Sequence, residues 1–215
     1  PPHLRPLLAA SLEAHLIAAA SEPLPDDGLV TARMDRMEQV LSRLAADWQA
    51  GRGDIMAATE DLQAWVLAWR GLAAGDAERL DAAWARLAHK AEGSGDDDAG
   101  RSTLATCALV GLALGAGPEG VLRLRAALNA ARRALSIAQK NGDATLIASH
   151  LALAGRTALA LGGATSDPEI ISEAEHDLAQ ALALADRAQG RMPSDREGLA
   201  EDLRRCQTLR TDRLL

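Results

Sequence analysis

Glu119-Gly-Val-Leu-Arg-Leu-Arg-Ala-Ala-Leu-Asn-Ala-Ala-Arg-Arg-Ala-Leu-Ser-Ile-Ala-Gln-Lys140 draws 14 of its 22 residues from alanine, leucine and arginine, with Pro118 just ahead of it. Alanine and leucine lose little rotamer freedom in a helix, and proline is harmless at a helix start, where its missing N–H has no partner to lose. The spacing predicts one long helix over 119–140. The same chemistry extends outward in both directions. The 215 residues include 47 Ala and 35 Leu against 5 Val and 6 Ile, with no Phe and no Tyr. Sheets draw on β-branched and aromatic residues that fit a pleated, half-buried surface, and this chain has almost none to supply. The composition predicts an all-α fold in one domain or two.

Punctuation by Gly, Pro and Asp divides the chain into about nine helices. They are His3–Ala20, Gly28–Ala50, Ile55–Ala74, Ala77–Ala91, Ser102–Leu114, Glu119–Lys140, Ala144–Leu161, Pro168–Gln189 and Ser194–Leu214. In the second, Val30, Met34, Met37, Leu41, Leu44 and Trp48 step by three and four, the stripe of a 3.6-residue helix. Short links imply antiparallel neighbours. Glu92–Gly100, with four carboxylates and three glycines, reads as the flexible loop of the chain.

Two five-residue runs, Ala134-Leu-Ser-Ile-Ala138 and Ala181-Leu-Ala-Leu-Ala185, stand near the ends of two long helices. Each of those helices follows a shorter one with a central glycine, Gly111 or Gly155. Leu151, Gly155 and Gly162, then Ala174, Leu178 and Ala181, form a set of small and large residues across one such hairpin. Gly111, Ala127, Ala131 and Ala134 form a second, and Ala68, Gly75, Leu80, Trp84 and Leu87 a third. Over roughly residues 61–190 this pattern resembles the tetratricopeptide repeat (TPR) family. The later two inter-helix turns are longer than that family's, by about four and seven residues, and its terminal proline is absent. The resemblance implies antiparallel hairpins stacked as a right-handed array: an N-terminal helical pair over 1–54, three hairpins over 55–190 and a capping helix over 193–215. It also implies a groove for a protein or peptide partner, in which Trp65, Trp69 and Arg156 would stand. The groove Lys and Asn by which some members clamp a terminal carboxylate are not evident, so that ligand class is not carried over.

Charge and motifs narrow the function classes. The formal charge is −7, and residues 1–100 hold 17 acidic against 9 basic side chains, the opposite of a nucleic-acid-binding surface. The longest uncharged apolar run, Thr103–Gly117, is 15 residues, which fits a buried core helix better than a bilayer span of about 20. Glu13 and His15 interrupt the first apolar stretch, against a signal peptide. Cys107 and Cys206 form no disulfide or metal spacing, and the default setting is a reducing cytoplasm. Arginine outnumbers lysine 21 to 2, which with the alanine excess suggests a GC-rich bacterial genome.

Gly115-Ala-Gly117-Pro-Glu-Gly120 matches a dinucleotide-binding fingerprint, but that motif needs a parallel sheet and here reads as an inter-helix turn. Glu173-x-x-His176 is half of a di-iron motif without its second half. Arg52-Gly53-Asp54 reads as a helix-ending turn. No metal or cofactor is expected. Arg125, Arg132, Arg133 and Lys140 return to one side of their helix at spacings of seven, eight and fifteen, as a stripe for an acidic partner or as a solvated face. Trp65 and Trp69, one turn apart, should share a fate, with ring bodies in the core and exposed edges at the groove wall. The expected function is non-catalytic protein–protein interaction, as one module of a larger bacterial regulatory or signalling protein. The alternatives are a helical ligand-binding or catalytic domain with a pocket between helices, and a self-associating bundle.

Overall fold

A computed structural model describes residues 64–72, 74–117, 119–187 and 196–211. The expected helices His3–Ala20 and Gly28–Ala50, the 1–54 unit that contains them and the Arg52-Gly53-Asp54 turn lie outside these residues. The described residues are all-helical and contain no strand. α1 covers 64–72. It is followed by α2 (Ala77–Glu92), α3 (Asp98–Ala113, prolonged by a 3-10 turn at Leu114–Ala116), α4 (Gly120–Asn141), α5 (Ala144–Thr165), α6 (Pro168–Arg187) and α7 (Arg196–Thr211).

Aspartate starts four of these helices. Asp76 accepts from the Arg79 N–H at 3.1 Å, Asp97 from Gly100 at 2.7 Å, Asp143 from Thr145 at 2.8 Å and Asp167 from Glu169 at 2.9 Å. Each satisfies an N–H that has no partner inside the helix. Gly142 (φ 74°) closes α4 in the left-handed region, where glycine carries no Cβ penalty. The expected loop at 92–100 is shorter than the sequence suggested. Asp97 caps α3 and Gly100 lacks the Cβ that would collide with the Gly95 carbonyl oxygen, so the helix begins at Asp98 rather than Ser102.

Each helix packs on its successor from α2 onward, and in addition α3 packs on α5 and α5 on α7. One core joins α1, α2 and α3 to Ala130, Ala131, Ala134 and Ile137 of α4 and to Leu153 and Ala154 of α5. A second joins Leu124, Leu128 and Leu135 of α4 to α5, α6 and α7. α5 is long and apolar enough to cross a bilayer by length and composition. Half of its apolar stretch is buried, and the helix packs against α3, α4, α6 and α7. Cys107 is buried, and desolvation pushes its thiol up to about 12, the inert behaviour of a small hydrophobe.

The helices meet at residues with little or no side chain. A Cβ on Gly71 would lie 2.7 Å from Leu80 Cγ, on Gly115 2.8 Å from Leu124 Cδ2 and on Gly162 2.7 Å from Ile171 Cγ1. In all three hairpins the apolar residue follows its glycine by nine positions, and a fully buried alanine (Ala83, Ala127, Ala174) comes three positions later. Gly111 and Gly155 also stand at crossings, against Ala127 and Trp84 and against Leu178. They are not each other's counterparts, however. The glycines in like places are Gly71, Gly115 and Gly162, and Gly75 is the positive-φ residue (63°) of the α1–α2 turn.

His150 of α5 is buried, and its Nε2 lies 3.1 Å from Nη1 of the equally buried Arg101 of α3. Arg101 can only donate, so Nε2 accepts and the ring is neutral, with its proton on Nδ1. Burial first, then the Arg101 charge, lowers the imidazole to about 4.

Two measurements follow from this packing. In urea unfolding read by far-ultraviolet circular dichroism, Gly155→Leu should cost about 1–3 kcal/mol by overpacking. Gly163→Ala, whose Cβ meets only Leu209 Cδ1 at 3.9 Å, should gain up to about 1 kcal/mol of helix propensity. Equal midpoints for Gly155→Leu and the parent chain would contradict the close crossing. For His150 the folded state disfavours the proton. Its contribution is therefore complete above the unfolded value of 6.5 and is lost as pH falls from 6.5 through about 4. The loss approaches about 3 kcal/mol at full effect. His150→Gln should flatten that part of the stability–pH curve, and an unchanged slope would refute the assignment.

Candidate functional site: a groove between α4 and α6

The basic stripe of α4 divides between its neighbours. Arg133 donates from Nη1 to the Ala91 carbonyl at 2.7 Å and from Nη2 to the Ser94 carbonyl at 2.9 Å, tying down the end of α2 and the turn after it. Lys140 Nζ reaches Asp96 at 2.6 Å and holds that carboxyl below its ordinary range. Asn141 donates to Asp98 at 3.0 Å. Arg123 pairs with Asp81 of α2 and, at 3.2 Å, with Glu119. Arg132 points the other way, to Glu173 of α6, and Arg125 is exposed. Four basic side chains of α4 thus fasten it to neighbouring segments, a role that side-chain spacing along one helix does not reveal.

The tryptophans do not share one exposure. Trp65 is buried at 7% and Trp69 is half-buried, both against the first core. Neither indole N–H finds an acceptor among the described residues. Arg156 pairs with Asp202 at 2.7 Å and closes the α5–α7 junction. The structure therefore puts Trp65 and Trp69 in the packing of α1–α3 and Arg156 at a different junction.

Arg132 is the predicted residue that opens onto a cavity. α4 and α6 both pack on α5, and between them runs an open groove of about 730 Å³. Arg132 and Leu135 line it from α4, and Glu169, Ser172, Glu173, His176 and Asp177 line it from α6. The sequence of α6 makes this wall. Ile171, Ala174, Leu178, Ala181 and Ala185 are its buried face, and Glu169, Glu173 and Asp177 recur every four residues on an adjoining stripe. Burial raises the Asp177 carboxyl above its ordinary range, with the nearby Glu173 charge adding to the rise and Arg132 and His176 opposing it. His176 Nε2 lies 2.7 Å from Gln180 Nε2 and accepts from it. Three carboxyl groups and one guanidinium leave the groove acidic. Leu135, 9% exposed, gives it a narrow apolar edge. Sequence reading reached Glu173 and His176 only as an unmatched metal motif. The available signal was the every-fourth-residue carboxylate stripe beside an apolar one. No family model, curated protein or solved structure matches the chain.

Arg133→Ala takes the guanidinium donor from the Ser94 carbonyl and leaves the Ala91 carbonyl only its local backbone donors, the Ser94 N–H at 3.4 Å among them, and should cost about 1–3 kcal/mol. It should also speed amide exchange across 93–97. Arg125→Ala should stay within about 0.5 kcal/mol. Equal effects of the two substitutions in denaturant and exchange measurements would remove the distinction between them.

Proposed function

We propose that the chain is a non-catalytic protein-binding module, built as a TPR-like right-handed array of antiparallel hairpins, and that the α4–α6 groove is where its protein or peptide partner docks. In this reading the 1–54 pair and the 193–215 cap flank three hairpins in an array of about nine helices. The pairing of α3 with α5 and of α5 with α7, on top of packing between successive helices, supports the array. The groove carries the functional part. It is large, open and lined by charged side chains over an apolar edge, as interface rims and anchors are. Its carboxylates are water-exposed for the most part, whereas electrostatic catalysis draws on a closed, dry site. The acidic total charge favours a protein over a nucleic acid.

Of the predicted set, Arg132 is the residue that lines this groove. Trp65, Arg133 and Arg156 serve the scaffold, and Arg125 and Trp69 keep surface that a partner can reach. The setting we propose is a larger bacterial regulatory or signalling protein in the cytoplasm.

A photo-crosslinking amino acid at exposed Ser172, with a control at exposed Gln207 of α7, tests this in cells of the native host. A protein adduct specific to position 172 is expected. The adducted partner, once purified, should bind Glu173→Arg at least about tenfold more weakly with no change in melting temperature. Adducts only at the control position, or equal binding to Glu173→Arg, would overturn the groove as the docking surface.

A further inference from the structure

We propose that the α4–α6 groove receives an arginine-bearing segment of the partner, whose guanidinium takes the place that Arg132 now fills beside Glu173 and Asp177. The inference rests on the protein-binding reading above and adds the chemistry of what is bound.

The groove already contains a guanidinium. Arg132 reaches across from α4 to a Glu173 carboxylate oxygen, and its charge is felt at Asp177. The site thus displays the contacts that an incoming arginine would make. Exchanging one for the other is cheap. The Arg132 and Glu173 side chains are 45% and 54% exposed, and a pair so open to water contributes little. Charge is also left over. Neither Glu169 nor Asp177 forms a salt bridge among the described residues, and Asp177, half-buried, shares with Glu173 the influence of the single Arg132 charge. One Arg132 cannot neutralise three carboxyl groups, so a second cation entering the groove meets unspent negative potential.

Spacing points to the form of the ligand. Steps of four residues along α6 separate the carboxylates by about 6 Å along the helix axis. An extended chain places alternate side chains on one side at about 6.6 Å. Two arginines separated by one residue therefore match two successive carboxylates. Leu135 offers apolar surface to an arginine stem. The planar fork of arginine can engage a carboxylate by two parallel bonds, which a lysine ammonium cannot.

The probe is a fluorescein-labelled octapeptide of alternating arginine and alanine, with a lysine–alanine peptide beside it, followed by anisotropy at low and physiological salt. We expect saturable one-to-one binding to the full chain. Glu173→Gln or Asp177→Asn should weaken it several-fold, and Arg132→Ala should tighten it. Glu78→Gln, on α2, should leave it unchanged, and the lysine peptide should bind more weakly. Absence of saturable binding would overturn the proposal. So would equal weakening by Glu78→Gln and Glu173→Gln, or weakening by Arg132→Ala. If the partner crosslinked at Ser172 contacts the groove through a segment without arginine, this inference falls and the docking surface stands. If no adduct forms at Ser172, the protein-binding reading falls whatever the peptide does.

Discussion

Backbone-close contact between helices is the constraint on which the rest of this structure depends. The chain has no Phe and no Tyr to fill wide interhelical gaps, so its helices approach until buried Leu and Ile side chains seat against Gly and Ala of the facing helix. Alanines with no exposed surface, such as Ala83, Ala108, Ala127, Ala131, Ala154, Ala158, Ala174 and Ala181, mark the contacts. Where even a methyl group is too large, glycine appears, and the side chain of the opposing helix occupies the space that a Cβ would need. The design leaves little slack. A contact built from Gly and Ala cannot re-pack by rotamer change, since neither residue has a rotamer to change.

Close packing also decides what charged side chains do. Ala-rich faces leave the long arginine side chains of α4 to span the distance to neighbouring segments. Arg123 and Arg133 tie α4 to α2 and the turn after it, and Arg132 ties it to α6. The Arg133 bonds go to backbone carbonyls at and just beyond a helix end, and they add to the local N–H bonds that the Ala91 carbonyl accepts there. The Arg132 bond goes to an exposed carboxylate that water could serve as well. Two adjacent arginines thus differ in kind, one structural and one exchangeable, and the difference comes from the acceptor rather than from the arginine.

Among the described residues, the helical class and most helix positions were legible in the sequence, because residue propensity and Asp, Gly and Pro punctuation are local. Pro168 announced the start of α6, and α5 begins at Ala144 as the sequence predicted. The register of the hairpins was less legible. Gly111 and Gly155 looked alike as central glycines of short helices, yet the spatial counterparts are Gly71, Gly115 and Gly162, fixed by which side chain on the next helix each one admits. That information is pairwise and non-local. The buried Arg101–His150 contact was invisible for the same reason, since its members are 49 residues apart. Part of the groove was present as a charge pattern on α6, but its other wall comes from a helix two elements away in contact order, and no single-helix reading joins the two.

The aromatic inventory has an optical consequence. The four tryptophans sit at 48, 65, 69 and 84, and there is no tyrosine. Trp65, Trp69 and Trp84 all pack in or against the first core, while the second core, from Leu124 through Cys206, holds no aromatic ring. Among the described residues, tryptophan emission and near-ultraviolet absorption therefore report on the first core and not on the second. If the two cores melt separately, the emission of Trp65, Trp69 and Trp84 follows the first, and the loss of α6 and α7 leaves their colour and intensity unchanged.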